Sequence, residues 1–306
     1  MKKLIKLFRA IEGIITSPLM RFANYMRLKK TNFSITFKHE GCFVVKLPTV
    51  SLLGALLNKS KDFNRNVSDM SRPNAEVLLR KIVFEMYKTK YINDNLSIID
   101  IGSWISDNSI VWASYLSGDG HVLAIDPSID NLNYSKNLAE INNVKNIHFI
   151  ESVCSEKIGI KLDFDGTIDH AVFQESSSGS GIESSTIDKI VNDNNAKLGL
   201  IHVDVEGFEL SVLKGAESSI KRDMPIISFE QHISREDVYM VSKYLENLNY
   251  KVYMINEVLP FCDKDCRNFL AFPSKRDLPQ LTKYKQSELY KFGICNAVVG
   301  QSLIEI

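Results

Sequence analysis

Ser97-Ile98-Ile99-Asp100-Ile101-Gly102-Ser103-Trp104-Ile105-Ser106-Asp107-Asn108 is the stretch that decides the fold. A short apolar run from Leu96 ends at Asp100-Ile101-Gly102, and a helical stretch over 109–116 follows. A second apolar run, His121–Ile125, ends at Asp126-Pro127 and leads to a helix expected over 133–141. The alternation continues with strands at 147–150, 198–205 and 226–229, helices over 209–220 and 235–248, and closing strands at 251–255 and 268–272. Short apolar strands alternating with amphipathic helices predict an α/β fold, a mostly parallel sheet with helices on both faces.

Open parallel sheets bind ligands outside the carboxyl ends of their strands, at the point where strand order reverses. Gly102 lets the chain turn sharply there and pass close to a ligand. Asp100 positions that loop or accepts a hydrogen bond from a cofactor's amino-acid part. Asp126, at the end of the second strand, is placed to take ribose hydroxyls. Ser103, Ser106, Pro127 and Ser152 complete the candidate cofactor set. A dinucleotide site wants three glycines so that a pyrophosphate can sit on the helix N-terminus. This loop has one, with Ser106 where a second would stand, which disfavours an oxidoreductase. S-adenosylmethionine carries no phosphate and suits the loop better, and an α/β turn without a ligand is the plain alternative.

Further motifs follow in order: Thr186-Ile187-Asp188, then Ile201-His202-Val203-Asp204-Val205-Glu206-Gly207-Phe208-Glu209, then Leu213-Lys214-Gly215-Ala216, then Pro225-Ile226-Ile227-Ser228-Phe229-Glu230. With the 97–102 run, these resemble the FkbM family of methyltransferases over roughly residues 96–273. The resemblance implies a class I methyltransferase (Rossmann-like) fold, S-adenosylmethionine as cofactor, and O-methylation of a sugar, glycan or other small-molecule hydroxyl. There are two departures: Ser106 stands where the family often has a glycine, and His202 where it often has a lysine. The second exchanges a fixed positive charge for a group that can titrate.

Methyl transfer is an in-line displacement, so positioning supplies much of the acceleration. A sugar hydroxyl is a poor nucleophile at neutral pH and needs help to lose its proton. Asp204 and His232, at the ends of the fourth and fifth strands, are the candidate bases, with Glu206 and Glu230 orienting the substrate. A divalent ion such as Mg2+ on Asp204, Glu230 and Gln231 is the alternative device. Several residues have plainer readings. Glu206 suits a helix start, His232 an ordinary histidine, Asp188 a helix cap and Trp104 core packing. A non-catalytic scaffold in a glycan-assembly complex is the rival function.

The 306 residues carry 37 Lys and Arg against 37 Asp and Glu, a formal net charge of zero, so the chain as a whole lacks the basic excess that nucleic-acid binding demands. The sequence divides into an N-terminal, mainly helical extension (1–95), a methyltransferase domain (96–273) and a C-terminal tail (274–306). In the extension, Leu4, Leu7, Phe8, Ile11, Ile14 and Ile15 recur at helical spacing opposite Lys2, Lys3, Lys6 and Arg9. That pattern suits a helix packed on its own domain or, alternatively, one on an anionic membrane surface or a protein partner. No signal peptide is expected. The five cysteines follow no framework spacing and read as reduced thiols in a cytoplasmic protein, whether free or peripheral to the membrane. Cys262 and Cys266 lack the second pair that a zinc site needs.

Overall fold

The computed structural model describes residues 33–39, 43–49, 77–167, 170–176, 181–232, 237–256, 266–279 and 303–306. The expected basic helix at the start and Cys262 lie outside them. Strands β1 (Phe33–His39) and β2 (Phe43–Thr49) pair antiparallel. Helix α1 (Val77–Lys88) leads into β3 (Ser97–Ile101), α2 (Asp107–Ala113), β4 (Val122–Asp126), α3 (Ile129–Ile141) and β5 (Ile147–Glu151). Next come β6 (Val153–Cys154), β7 (Lys161–Thr167), β8 (His170–Glu175), β9 (Ile182–Ser185) and α4 (Ile187–Asp193). The chain continues with β10 (Leu198–Val203), α5 (Glu209–Lys214), α6 (Glu217–Asp223), β11 (Ile226–His232) and α7 (Asp237–Asn247). The last elements are β12 (Tyr250–Ile255), β13 (Cys266–Pro273) and β14 (Leu303–Glu305).

The main sheet has eight strands in the order β14-β12-β13-β11-β10-β3-β4-β5. Strands β11, β10, β3, β4 and β5 run parallel. The two closing strands are antiparallel: β13 is inserted between β11 and β12, and β14 adds an outer edge. This is the class I methyltransferase arrangement, a parallel half reversing between β3 and β10 with an antiparallel strand tucked in beyond the fifth.

Each face of the sheet carries its own apolar layer. Leu78, Leu79, Ile82 and Val83 of α1 pack with Trp112 and Leu138 on one face, and Ile187, Val191, Leu213, Ile220 and Val241 cover the other. β3 and β4 are buried along their whole length, as strands covered on both faces must be. Segments read from sequence as flanks thus contribute α1 to the core and β14 to the sheet edge.

Two features differ from the sequence expectation. Residues 161–185 hold three strands that the alternation of runs did not include, and with β6 they form a second sheet in the order β6-β9-β7-β8. Lys161-Leu162-Asp163 alternates with a period of two, a surface-sheet pattern hidden by its charge. The helix expected over 209–220 is two helices that break at Gly215-Ala216. A Cβ on Gly215 would lie 2.1 Å from the Ser155 carbonyl oxygen, so the break is a close backbone crossing that only glycine allows.

Arg80, 1% exposed, joins α1 to the first turn of α2. Its Nε donates to Asn108 Oδ1 at 2.7 Å and its Nη2 to Asp107 Oδ2 at 2.8 Å. Removing one partner of a buried ion pair strands the other charge and costs about 3–5 kcal/mol. Arg80→Ala is expected to lose stability in that range by urea denaturation; a loss under about 1 kcal/mol would show that water reaches Asp107.

Candidate active site

The carboxyl ends of β3, β4 and β5 form one shelf. After Ile101 the chain turns at Gly102 (φ 75°), where an added Cβ would lie 1.8 Å from the Asp204 carbonyl oxygen. The amides of Gly102 and Ser103 both donate to Ile125 O, and Asp204 N donates to Ile101 O. Trp104 (φ 47°) and Ser106 (φ 57°) also hold left-handed conformations. Ser106 therefore occupies a backbone geometry suited to glycine. Its side chain is fully buried and its hydroxyl donates to Ser103 Oγ at 3.3 Å. Asp100, also buried, accepts the Ser109 hydroxyl of α2 and so anchors the loop from beneath.

Asp126 is 5% exposed and ties three segments together. One oxygen accepts Trp104 N at 2.9 Å; the other accepts Ser128 N at 2.8 Å and Asn131 Nδ2 at 3.1 Å. Burial pushes its pKa up to about 6 against the pull of these hydrogen bonds. A carboxylate offers roughly four acceptor positions, so three internal donors leave room for about one ribose hydroxyl. Beside it, Asn131 Oδ1 is buried without a donor, and Ile129, 47% exposed, offers an apolar surface. Pro127 and Ser152 lie half-buried on the same shelf, where Ser152 N donates to Asp126 O at 3.3 Å. An orphaned acceptor, a carboxylate with spare capacity and an exposed apolar side chain fit a nucleoside.

Across the switch point lies an acidic cleft lined by Asp204, Glu206, Gly207, Glu209, Glu230, Gln231 and His232. Asp204 and His232 are half-buried, and Glu206 is exposed with φ 53°. Glu230, 9% exposed, accepts the Cys266 thiol at 2.7 Å. All four residues read from the sequence as catalytic thus line one cleft. His202 is 2% exposed and meets the Trp112 ring edge-on at 5.1 Å between centroids, packed against a helix of the sheet's α1 face. Trp104 packs against the same layer. Among the described residues, no group of three or more His, Cys, Asp or Glu side chains is arranged to hold a metal ion.

Sequence reading passed over Glu209 and the shared role of Gln231. Glu209, 3% exposed, accepts Gly207 N at 2.9 Å and Gln231 Nε2 at 3.4 Å. Burial, above all, raises its pKa. The acid at the start of α5 is therefore Glu209, in the first turn, rather than Glu206. Asp188 is a cap, but of a distant helix: its carboxylate accepts Ser218 N at 3.0 Å and Ser219 N at 2.7 Å at the start of α6. Its own helix, α4, is capped by the Thr186 hydroxyl.

Because the folded pKa of Asp126 lies above its ordinary 3.8, between about pH 4 and 6 the folded chain keeps a proton that the unfolded chain has lost. This group therefore favours folding increasingly as pH falls through about 6, and burying its charged form opposes folding above that. The stability difference between the wild type and Asp126→Ala should shift toward the wild type as pH drops from about 7 to 5, as read from urea midpoints. A flat profile would show that Asp126 does not titrate there.

Residues 100–252, half of the chain, match the Methyltransferase FkbM domain. No curated protein sequence matches the chain. Among solved structures, methyltransferase FkbM from Methylobacillus flagellatus KT is 17% identical, with a TM-score of 0.42, covering 69% of this chain and 60% of its own. A SAM-dependent methyltransferase from Aquifex aeolicus is 12% identical, with a TM-score of 0.38, covering 72% and 98%. A ribosomal protein L11 methylase from Lactobacillus delbrueckii subsp. bulgaricus is 12% identical, with a TM-score of 0.39, covering 64% and 78%. This chain thus spans 60% of the length of the FkbM neighbour. With the domain match covering both the loop after β3 and the acidic cleft, the chain belongs to the FkbM family of S-adenosylmethionine-dependent methyltransferases.

Proposed function

We propose that the protein transfers a methyl group from S-adenosylmethionine to a hydroxyl of a sugar, glycan or other small metabolite. The observation that carries this reading is the acidic cleft of Asp204, Glu206, Glu230 and His232, opening beside the Gly102 turn. Bound S-adenosylmethionine would supply an electrophilic methyl carbon. Asp126, Asn131 and the 102–106 loop would hold its nucleoside and amino-acid ends. Asp204 or His232 takes the proton of the attacking hydroxyl, and Glu206 and Glu230 orient the acceptor. The thiol hydrogen bond from Cys266 steadies Glu230 in that role. Asp204, Glu230 and Gln231, which line the same cleft, are the positions a divalent ion would use.

No helix among the described residues is long and apolar enough to cross a membrane. By our reading the chain works in the cytoplasm, free or at the membrane surface. The scaffold alternative draws on one observation, the serine held in a glycine conformation at 106.

Calorimetric titration with S-adenosylmethionine and, separately, with NAD tests the cofactor. Micromolar binding of the first alone is expected, and binding of neither would favour the scaffold. Asp204→Asn and His232→Gln should reveal the base. Loss of a general base lowers turnover by roughly 10²–10⁴-fold while cofactor affinity stays nearly unchanged. Equal losses in turnover and affinity would give that residue a structural role.

A further inference from the structure

The 102–106 loop holds two residues with side chains in left-handed backbone, Trp104 (φ 47°) and Ser106 (φ 57°). Such conformations are unfavourable for residues that carry a Cβ, and they persist only where the surroundings over-determine them. The upstream end of the loop is tied to β4. The amides of Gly102 and Ser103 donate to Ile125 O, and Trp104 N donates to Asp126 Oδ2 at 2.9 Å. The downstream end runs straight into α2, whose first residue, Asp107, follows Ser106 directly. Two side-chain contacts hold that end: Ser109 Oγ donates to Asp100, and Arg80 reaches across from α1.

The Arg80 guanidinium forks over the first turn of α2. Nε donates to Asn108 Oδ1 at 2.7 Å and Nη2 to Asp107 Oδ2 at 2.8 Å. The other oxygen of Asp107 accepts Asn108 N at 3.0 Å, so the carboxylate under the fork is itself fixed. A planar guanidinium serves two acceptors in one rigid geometry, which the point charge of an ammonium does not. The base of the clamp is firm as well. Leu78, Leu79, Ile82 and Val83, on either side of Arg80 in α1, are fully buried in the apolar layer of that face. Arg80 precedes residues 100–252, the stretch that matches the FkbM domain, so no family motif points to it.

We propose that Arg80 is a positioning residue for S-adenosylmethionine. From α1 it clamps the first turn of α2 and so keeps the strained 102–106 loop in the shape that receives the cofactor. The inference rests on the reading that this loop holds part of the cofactor. Arg80 acts through Asp107 and Asn108. Once the fork is lost, the first turn of α2 loosens, and Ser106 and Trp104 relax out of left-handed backbone. The Trp104 amide then leaves Asp126, and the loop and the carboxylate are no longer held together. A helix ahead of the matched domain thus belongs to the cofactor apparatus.

The test uses the full chain and two variants. Arg80→Lys keeps the charge but not the fork. Leu245→Ala truncates a fully buried side chain in the apolar layer of the opposite face and controls for general loss of stability. S-adenosylhomocysteine is titrated by calorimetry at a temperature where circular dichroism shows all three proteins folded, and amide hydrogen exchange is followed without ligand. Arg80→Lys should bind about tenfold more weakly, equivalent to about 1.4 kcal/mol, with faster exchange over residues 102–110. Leu245→Ala should stay within about twofold of the wild type in affinity, with exchange over 102–110 unchanged. Should Arg80→Lys fail to fold, Asn108→Ala removes one prong of the fork, leaves the ion pair with Asp107, and carries the same expectations. Equal affinity in wild type and fork variant, or the same loss in the fork variant and Leu245→Ala, overturns the proposal. A wild type that binds no S-adenosylhomocysteine, while loop exchange still depends on the fork, would keep the clamp and sink the cofactor reading of the loop. Tight binding in every variant would keep that reading and sink the clamp.

Discussion

The backbone of Gly102 lies against the carbonyl of Asp204, and most of the site depends on that approach. Strands β3 and β10 are neighbours at the point where the parallel order reverses. Their ends must separate to open a crevice, yet here they stay in contact for one more residue. An added Cβ at 102 would overlap the Asp204 oxygen, so no other residue allows this closeness. Gly102 therefore sets both sides of the crevice at once. It aims the 102–106 loop toward Asp126, and it fixes where Asp204 leaves the sheet. The shelf at the ends of β3, β4 and β5 and the acidic cleft are two walls of one backbone contact.

Around that contact the strongest sequence motifs divide into two kinds. Thr186, Asp188 and Gly215 are structural: a local cap, a cap delivered from one helix to another, and a crossing that needs a bare Cα. Asp188 N also donates to Gly215 O at 2.9 Å, so these two motifs are one joint between α4 and α6. That joint holds α5 and the start of β11 at a fixed distance, which places Glu209 beside Gln231. The residues of the Asp204–Glu209 block line the crevice itself. A family motif thus marks a fold's hinges as readily as its chemistry.

The electrostatics of the crevice are those of acids taken out of water. Asp126 and Glu209 are both raised by burial, each despite several hydrogen bonds that favour the charged form. Among the described residues, neither forms an ion pair like that of Asp107 with Arg80. The Arg80 pair ties α1 to α2, where charge is neutralised. The two raised carboxyls face the crevice, where a ligand's hydroxyl or amine would complete them.

The sequence alone determined the order of the main-sheet strands from β3 to β5 and from β10 to β13, because a period of two or 3.6 and the polar residues at strand ends are local properties. It also identified Asp100, Gly102, Asp126, Asp204, Glu230 and His232 as edge residues, since a strand's carboxyl end is visible in one dimension. Only the tertiary structure decided which face each side chain took. His202 reads as a neighbour of the site, yet it is buried against the Trp112 ring. Arg80 lies 27 residues from Asp107 and Asp188 31 residues from Ser219; no pattern in the chain ties such partners together. The Glu209–Gln231 pair, 22 residues apart, is of the same kind. Periodicity encodes what a segment becomes, but a buried polar group finds its partner only when folding removes water from both.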